Sequence, residues 1–249
     1  MRLTELTTFL DHYLHLQEYQ DRSNNGLRVQ GNPEVTRVAF AVDACLASFK
    51  AAVEHAAQLL IVHHGLFWSE PIQVTGAHYE RLKTLLYGGC GLYAAHIPLD
   101  AHPEVGNNVQ LARLAGLQNI QPWGNHRGDT IGFIGDLPQA LVVDELNTRL
   151  EERIGKGNRV QSNGTLARRV AVLSGFGVDF TLQASAAGAD TLITGETSHA
   201  WYQPVVEQGL NVIYGGHYNT EKVGVQALQH KLKAEFGLDT VFIDLPTEL

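Results

Sequence analysis

Short apolar runs alternate with amphipathic stretches along most of the chain, and this alternation restricts the fold more than any other property of the sequence. Arg37-Val38-Ala39-Phe40-Ala41-Val42 reads as a strand, Leu46, Phe49 and Val53 as a helical stripe, and Leu59-Leu60-Ile61-Val62 as the next strand. Two such runs joined by a helix make a βαβ unit, whose crossover sets the strands parallel and leaves helices to cover the sheet. A helix around Tyr79 to Tyr87, a strand at Leu92-Tyr93-Ala94-Ala95 and a helix from about Asn107 to Leu114 continue the pattern. Ahead of it, Leu3, Leu6, Phe9, Leu10, Tyr13 and Leu14 recur at a helical period. Asp21 to Gly26 is turn-rich, and Asn24-Asn25-Gly26-Leu27 reads as a turn within that loop.

Gln118 to Asp129, with Pro122, Gly124 and Gly128, shows no clear period and reads as a connector into a strand at Ile131 to Ile134 and a helix striped by Val142, Leu146 and Leu150. From Arg169 the opening pattern returns. Arg169-Val170-Ala171-Val172-Leu173 resembles Arg37 to Ala41, and adding 132 to the numbers of Leu59 to Val62 gives the strand Thr191-Leu192-Ile193-Thr194. His96-Ile97-Pro98-Leu99-Asp100 and His217-Tyr218-Asn219-Thr220-Glu221 each follow an apolar strand and place a carboxylate four residues after a histidine, at an offset of 121. The chain therefore reads as an internally duplicated α/β protein with mostly parallel sheets. Residues 1–120 form a first unit carrying His63, His64 and Asp100; residues 121–249 form the middle segment and a second unit carrying His217 and Glu221.

Ligands of open α/β sheets bind beyond the carboxyl ends of the strands, and the histidines and carboxylates lie there. His63-His64 comes just past an apolar run, where the backbone can turn and let neighbouring imidazoles reach the same region. One packed and one solvated histidine is the bland alternative, just as Asp100 and Glu221 could be carboxylates favoured by a helix N-terminus. Neither alternative explains why three such clusters share one kind of sheet edge. Mixed imidazole and carboxylate donors suit Zn, Fe, Mn, Co or Ni, and five candidate ligands, His63, His64, Asp100, His217 and Glu221, fit two divalent ions better than one. His96 reads as a ligand or as a hydrogen-bond partner of one; Glu196 and His199 read as orienting groups or as the cap of the following helix. His12, His15, His55, His78, His126 and His230 have no convergent partners in the sequence and read as surface or structural residues.

Several function classes are disfavoured. The net charge is −8 without a Lys/Arg cluster, against a nucleic-acid partner. No apolar run approaches the roughly 20 residues of a membrane span, and Met1 to Leu16 lacks the build of a secretory signal, so a cytoplasmic location is expected. Cys45 and Cys90 are the only cysteines, too few for a thiolate site and better read as a reduced, packed pair. There is no Gly-x-x-x-x-Gly-Lys loop to hold phosphates.

Ser23-Asn24-Asn25-Gly26-Leu27, Val62-His63-His64-Gly65, His96 to Asp100, Thr194-Gly195-Glu196 and Gly216 to Glu221, taken in this order, resemble the GTP cyclohydrolase 1 type 2 homolog family, also called NIF-three-like, over essentially the whole chain. The resemblance implies a fold of duplicated three-layer units, two metal ions held by His63, His64, Asp100, His217 and Glu221, and a toroidal homohexamer. It also implies a hydrolase that opens the ring of a purine nucleotide such as GTP with activated water. A metal-dependent phosphoesterase and a non-enzymatic metal-binding or partner-binding ring are the alternatives, since fold and metal do not fix a substrate.

Overall fold

In a computed structural model, which describes residues 1–247, the apolar runs become the strands of two sheets. Residues 248 and 249, the end of the 121–249 segment, lie outside the described residues. The chain begins with α1 (Leu3–Tyr13), β1 (Gly26–Val29), β2 (Arg37–Asp43), α2 (Leu46–Glu54), β3 (Leu59–His64), α3 (Gly76–Gly88), β4 (Gly91–Ala94) and α4 (Ile97–Ala101). It continues with α5 (Asn107–Leu114), β5 (Gln118–His126), β6 (Asp129–Val142), α6 (Val143–Ile154), β7 (Arg159–Gln161), β8 (Leu166–Val172), α7 (Thr181–Ala186) and β9 (Thr191–Thr194). The last elements are α8 (Tyr202–Glu207), β10 (Asn211–Tyr214), α9 (His217–Phe236) and β11 (Asp239–Phe242).

One compact unit comprises Met1–Leu99 and Val225–Leu245. Its sheet runs β1-β4-β3-β2-β11, with β4, β3, β2 and β11 parallel and β1 antiparallel at the edge. Val38 to Val42 are all buried, as expected of a strand covered on both faces, and Phe49, Leu60, Leu85 and Leu92 pack in the core. Ser48 fixes the start of α2: it accepts from the Cys45 N–H at 3.0 Å and donates to the Asp43 carbonyl at 2.7 Å, holding the end of β2 in place.

The other unit comprises Asp100–Gly224 with the segment from Pro246. Its sheet runs β5-β6-β8-β9-β10-β7; β8, β9 and β10 are parallel, β7 is an antiparallel edge, and β5 and β6 form an antiparallel hairpin. Leu111, Phe133, Leu146, Leu150, Val172 and Ile213 lie in its core. The duplication is visible strand by strand, because β1-β4-β3-β2 and β7-β10-β9-β8 share one order and one antiparallel edge. The repeat division into 1–120 and 121–249 follows sequence, whereas packing groups Val225–Leu245 with the first residues because β11 pairs with β2.

Three local readings are corrected. Gln118 to Asp129 is no connector: β5 occupies Gln118–His126, and an edge strand exposed on most of its length shows little alternation and tolerates Pro122. The turn at Asn24 to Leu27 opens directly into β1 at Gly26. His63 and His64 are the last residues of β3 and not beyond it, since the Ala44 N–H donates to the His64 carbonyl at 2.9 Å and prolongs the ladder with β2. Cys45 and Cys90 are both free, and burial pushes the Cys90 thiol up to about 12. Among the described residues no helix is long and apolar enough to cross a membrane.

Candidate metal centre

In the unit built from Met1–Leu99 and Val225–Leu245, three imidazoles gather at the carboxyl ends of β3 and β4. The ring centroids of His63 and His64 are 4.7 Å apart, those of His63 and His96 5.1 Å, and those of His64 and His96 5.7 Å. Each ring offers a nitrogen within 4.8 Å of the others. His63 is fully buried, and His64 and His96 are partly exposed.

The second nitrogen of each ring is held. His63 Nδ1 donates to the Ala95 carbonyl at 3.0 Å, His64 Nδ1 to Asp43 Oδ1 at 2.8 Å, and His96 Nδ1 to Asp21 Oδ1 at 3.0 Å. A carbonyl or carboxylate can only accept, so Nδ1 carries a proton in all three, and in the neutral ring Nε2 is then the atom that can ligate. This is the arrangement in which a metal-ligating histidine is usually fixed.

Asp21 is the hub of a clamp on the start of α4. It accepts from the Ser23 N–H, the Asn25 amide, the Ile97 N–H and His96 Nδ1, while Asn25 Oδ1 accepts from the His96 N–H at 2.9 Å. Burial alone would raise the Asp21 pKa, but the hydrogen bond and charge of His96, with Asn25 and Ser23, lower it well below the usual carboxylate range. The motif Ser23 to Leu27 thus serves His96 as well as the turn.

In the unit of Asp100–Gly224, Asp100, Glu196, His217 and Glu221 stand at the carboxyl ends of strands or the start of a helix. His217 Nδ1 donates to Glu196 Oε1 at 3.0 Å, and His217 Nε2 lies 3.1 Å from Glu221 Oε2. His217 Nε2 and Glu221 Oε2 thus stand close enough to form an ion pair when the imidazole is protonated, or to ligate one cation together. Asp100 and Glu221 are buried, and each presents an oxygen within 4.8 Å of the other's. Asp100 Oδ1 accepts from Asn107 Nδ2 at 2.9 Å and Ser174 Oγ at 3.0 Å, which fixes the plane of the carboxylate.

Gly175, at φ +58°, closes this site from below. A Cβ there would stand 2.4 Å from Glu221 Oε1 and 3.2 Å from His217 Nε2. Buried hydroxyls tie its backbone down: the Gly175 N–H donates to Thr220 Oγ1, and its carbonyl accepts from Thr194 Oγ1 and the Glu196 N–H.

Of the residues expected at the site, the structure brings together His63, His64 and His96 in one unit and Asp100, Glu196, His217 and Glu221 in the other. His199 is not in these clusters; it heads the helical turn His199–Trp201 and is exposed. Asp21, Asp43, Ser174 and Gly175 were missed. Asp43 carried a legible signal, as it ends a parallel strand, and Gly175 a weaker one, three residues past the end of another. If Glu196 sets the His217 tautomer, Glu196→Ala lowers metal affinity about 10–100-fold with the fold intact, measured by competition against a chelating dye. Unaltered affinity would reduce Glu196 to a helix cap.

A model of the family described as Duf34/NIF3 (NGG1p interacting factor 3) matches residues 1–248. A Deinococcus radiodurans protein named GTP cyclohydrolase 1 type 2 homolog is 45% identical over 246 residues, 98% of this chain and 94% of its own length. A Pyrococcus abyssi protein of the same name is 44% identical over 251 residues, covering both chains fully. A crystal structure from Thermus thermophilus superposes with a TM-score of 0.93 at 44% identity over the whole of both chains. That of reduced HcgD from Methanocaldococcus jannaschii gives 0.86 at 27% identity over 98% of each. With its fold, its repeated strand order and its full length all matched, the chain belongs to the Duf34/NIF3 family.

Proposed function

We propose that this chain is a dinuclear metal-dependent hydrolase in which His63, His64, Asp100, His217 and Glu221 hold two divalent ions, and that its substrate is a purine nucleotide whose ring is opened by water, as the name of its relatives suggests. The observation that carries the reading is the gathering of histidine and carboxylate ligand atoms within 4.8 Å of one another, His63 and His64 with His96 and Asp100 with Glu221, with Nδ1 of His63, His64 and His217 held by Ala95, Asp43 and Glu196. The donor set, three imidazoles and two carboxylates, suits Zn, Fe, Mn, Co or Ni. When bound, such ions supply Lewis acidity and a water acidic enough to react near neutral pH.

The chain's own groups supply the rest. Asp43 and Glu196 hold the imidazoles in one tautomer and stabilise positive charge on them. Asn107 and Ser174 keep Asp100 from rotating. His96, with Nδ1 on Asp21, serves as a further ligand or as a hydrogen-bond partner of one. The same proposal extends to a cytoplasmic toroidal homohexamer and to descent from a duplication dividing residues 1–120 from 121–249. Light scattering on the purified protein checks the hexamer.

Elemental mass spectrometry on untagged protein is the primary test. About two divalent ions per chain are expected, with a clear fall in His217→Ala. No bound metal, and none taken up on adding Zn, Mn or Fe, would remove the catalytic reading. Formate release from GTP identifies ring opening; phosphate release without formate would instead make the chain a phosphoesterase.

A further inference from the structure

At the carboxyl end of β9 and β10 lies a cavity of about 260 Å³ lined by Arg159, Gln161, Thr197, Ser198, His199 and Tyr202. Thr197 directly follows Glu196, the partner of His217, so the cavity adjoins the candidate metal ligands of its own unit. It is smaller than the roughly 300–1,000 Å³ that accommodates drug-sized ligands. Its walls offer a guanidinium, two hydroxyls, an imidazole and an amide, and among the described residues no Asp or Glu lines it.

The arrangement is built and not incidental. Arg159 lies directly opposite Tyr214 in the β7–β10 ladder, and its guanidinium sits 5.1 Å from the centre of the Tyr214 ring. Tyr214 is 4% exposed, and its hydroxyl donates to Gln161 Oε1 at 3.0 Å; Gln161 Nε2 donates to the Tyr202 carbonyl at 3.1 Å. A buried ring thus orients both side chains that β7 contributes, which stand two residues apart on one face of the strand. The other sheet has the same antiparallel edge, and there the corresponding pair is Gly26 opposite Ala94. The fold does not require an arginine at this place, and Arg159, exposed on the edge strand, keeps its guanidinium accessible to an anion.

We propose that this cavity binds an oxyanion, a phosphate or carboxylate group, of the small molecule on which the chain acts. Arg159 holds the charge, Thr197, Ser198 and His199 donate to the remaining oxygens, and the half-exposed Tyr202 ring offers a wall for the carbon skeleton next to the anion. For what happens at the ligand's other end this rests on the hydrolase reading; the anion site itself does not.

The test is a calorimetric or NMR titration of the full chain with inorganic phosphate, phenyl phosphate and benzoate, in wild type, Arg159→Gln and His217→Ala. The wild type is expected to bind at least one of these anions, and Arg159→Gln to bind it about 10–100-fold more weakly with metal content and melting temperature unchanged. Phenyl phosphate over benzoate names phosphate as the group, and the reverse names carboxylate. His217→Ala is expected to keep the anion affinity while losing metal. Equal affinities in wild type and Arg159→Gln, or no binding of any of the three, overturns the proposal. Absence of metal from the wild type with Arg159-dependent anion binding retained would overturn the hydrolase reading and leave the anion site standing.

Discussion

With the metal site as proposed, Gly175→Ala is expected to fold and to take up far less metal than the wild type. The added methyl would lie 2.4 Å from Glu221 Oε1 and 3.2 Å from His217 Nε2, distances at which one partner must move. The backbone cannot yield, because Thr220, Thr194 and Glu196 all hydrogen-bond to Gly175. The glutamate carboxylate yields, and with it the 3.1 Å spacing to His217. The left-handed φ of +58° adds about 1–2 kcal/mol of strain for an L side chain. At roughly 2–4 °C per kcal/mol for a chain of this size, the melting temperature falls by only a few degrees. Elemental analysis with thermal denaturation on the same preparation separates the two effects. Full metal content in a folded Gly175→Ala protein would show that Glu221 and His217 are not held by this geometry and are not the ligands.

Phe49→Ala has the converse signature, a large loss of stability with the ligands themselves untouched. Phe49 is fully buried on α2, in a core with Ala39, Ala41, Leu60 and Leu85. Removing a buried phenyl ring costs about 3–5 kcal/mol, combining lost transfer energy with the cavity left behind. The expected drop in melting temperature is about 10 °C. Circular dichroism melts measure it; a shift within 2 °C or so would mean that the side chains around Phe49 collapse into the space, against the close packing of a parallel-sheet core.

The two variants mark what was legible in the sequence. Phe49 declared itself through the stripe with Leu46 and Val53, because a covered helix face leaves a periodic trace. Strands buried on both faces, such as Val38 to Val42, were legible for the same reason. β5, β7 and β11 were not: β5 is an exposed edge strand, and β7 and β11 are short edge strands whose partners are distant in the chain. His63, His64, His217 and Glu221 could be named because histidine and carboxylate at strand ends are chemically conspicuous. The residues that orient them were less visible, since an aspartate such as Asp43 or a glycine such as Gly175 has many ordinary uses. The duplication offered a route to them. The offset of 132 that relates β3 to β9 also carries Asp43 onto Gly175 and His64 onto Glu196. One pair of equivalent positions thus supplies an imidazole with its carboxylate, and the other supplies a glycine and the carboxylate that serves His217. Copies of one sheet edge have been divided between different tasks.

The pairing of β11 with β2 matters for how the chain reaches this state. Phe40 and Phe242 are partners in the ladder, so the sheet begun at β2 stays one strand short until β11 has been made. During synthesis the edge of β2 would present unpaired N–H and carbonyl groups until β11 is made, after the whole of Asp100–Gly224. A strand order that joins neighbours some two hundred residues apart thus makes the addition of β11 late, and the loop closure makes it slow.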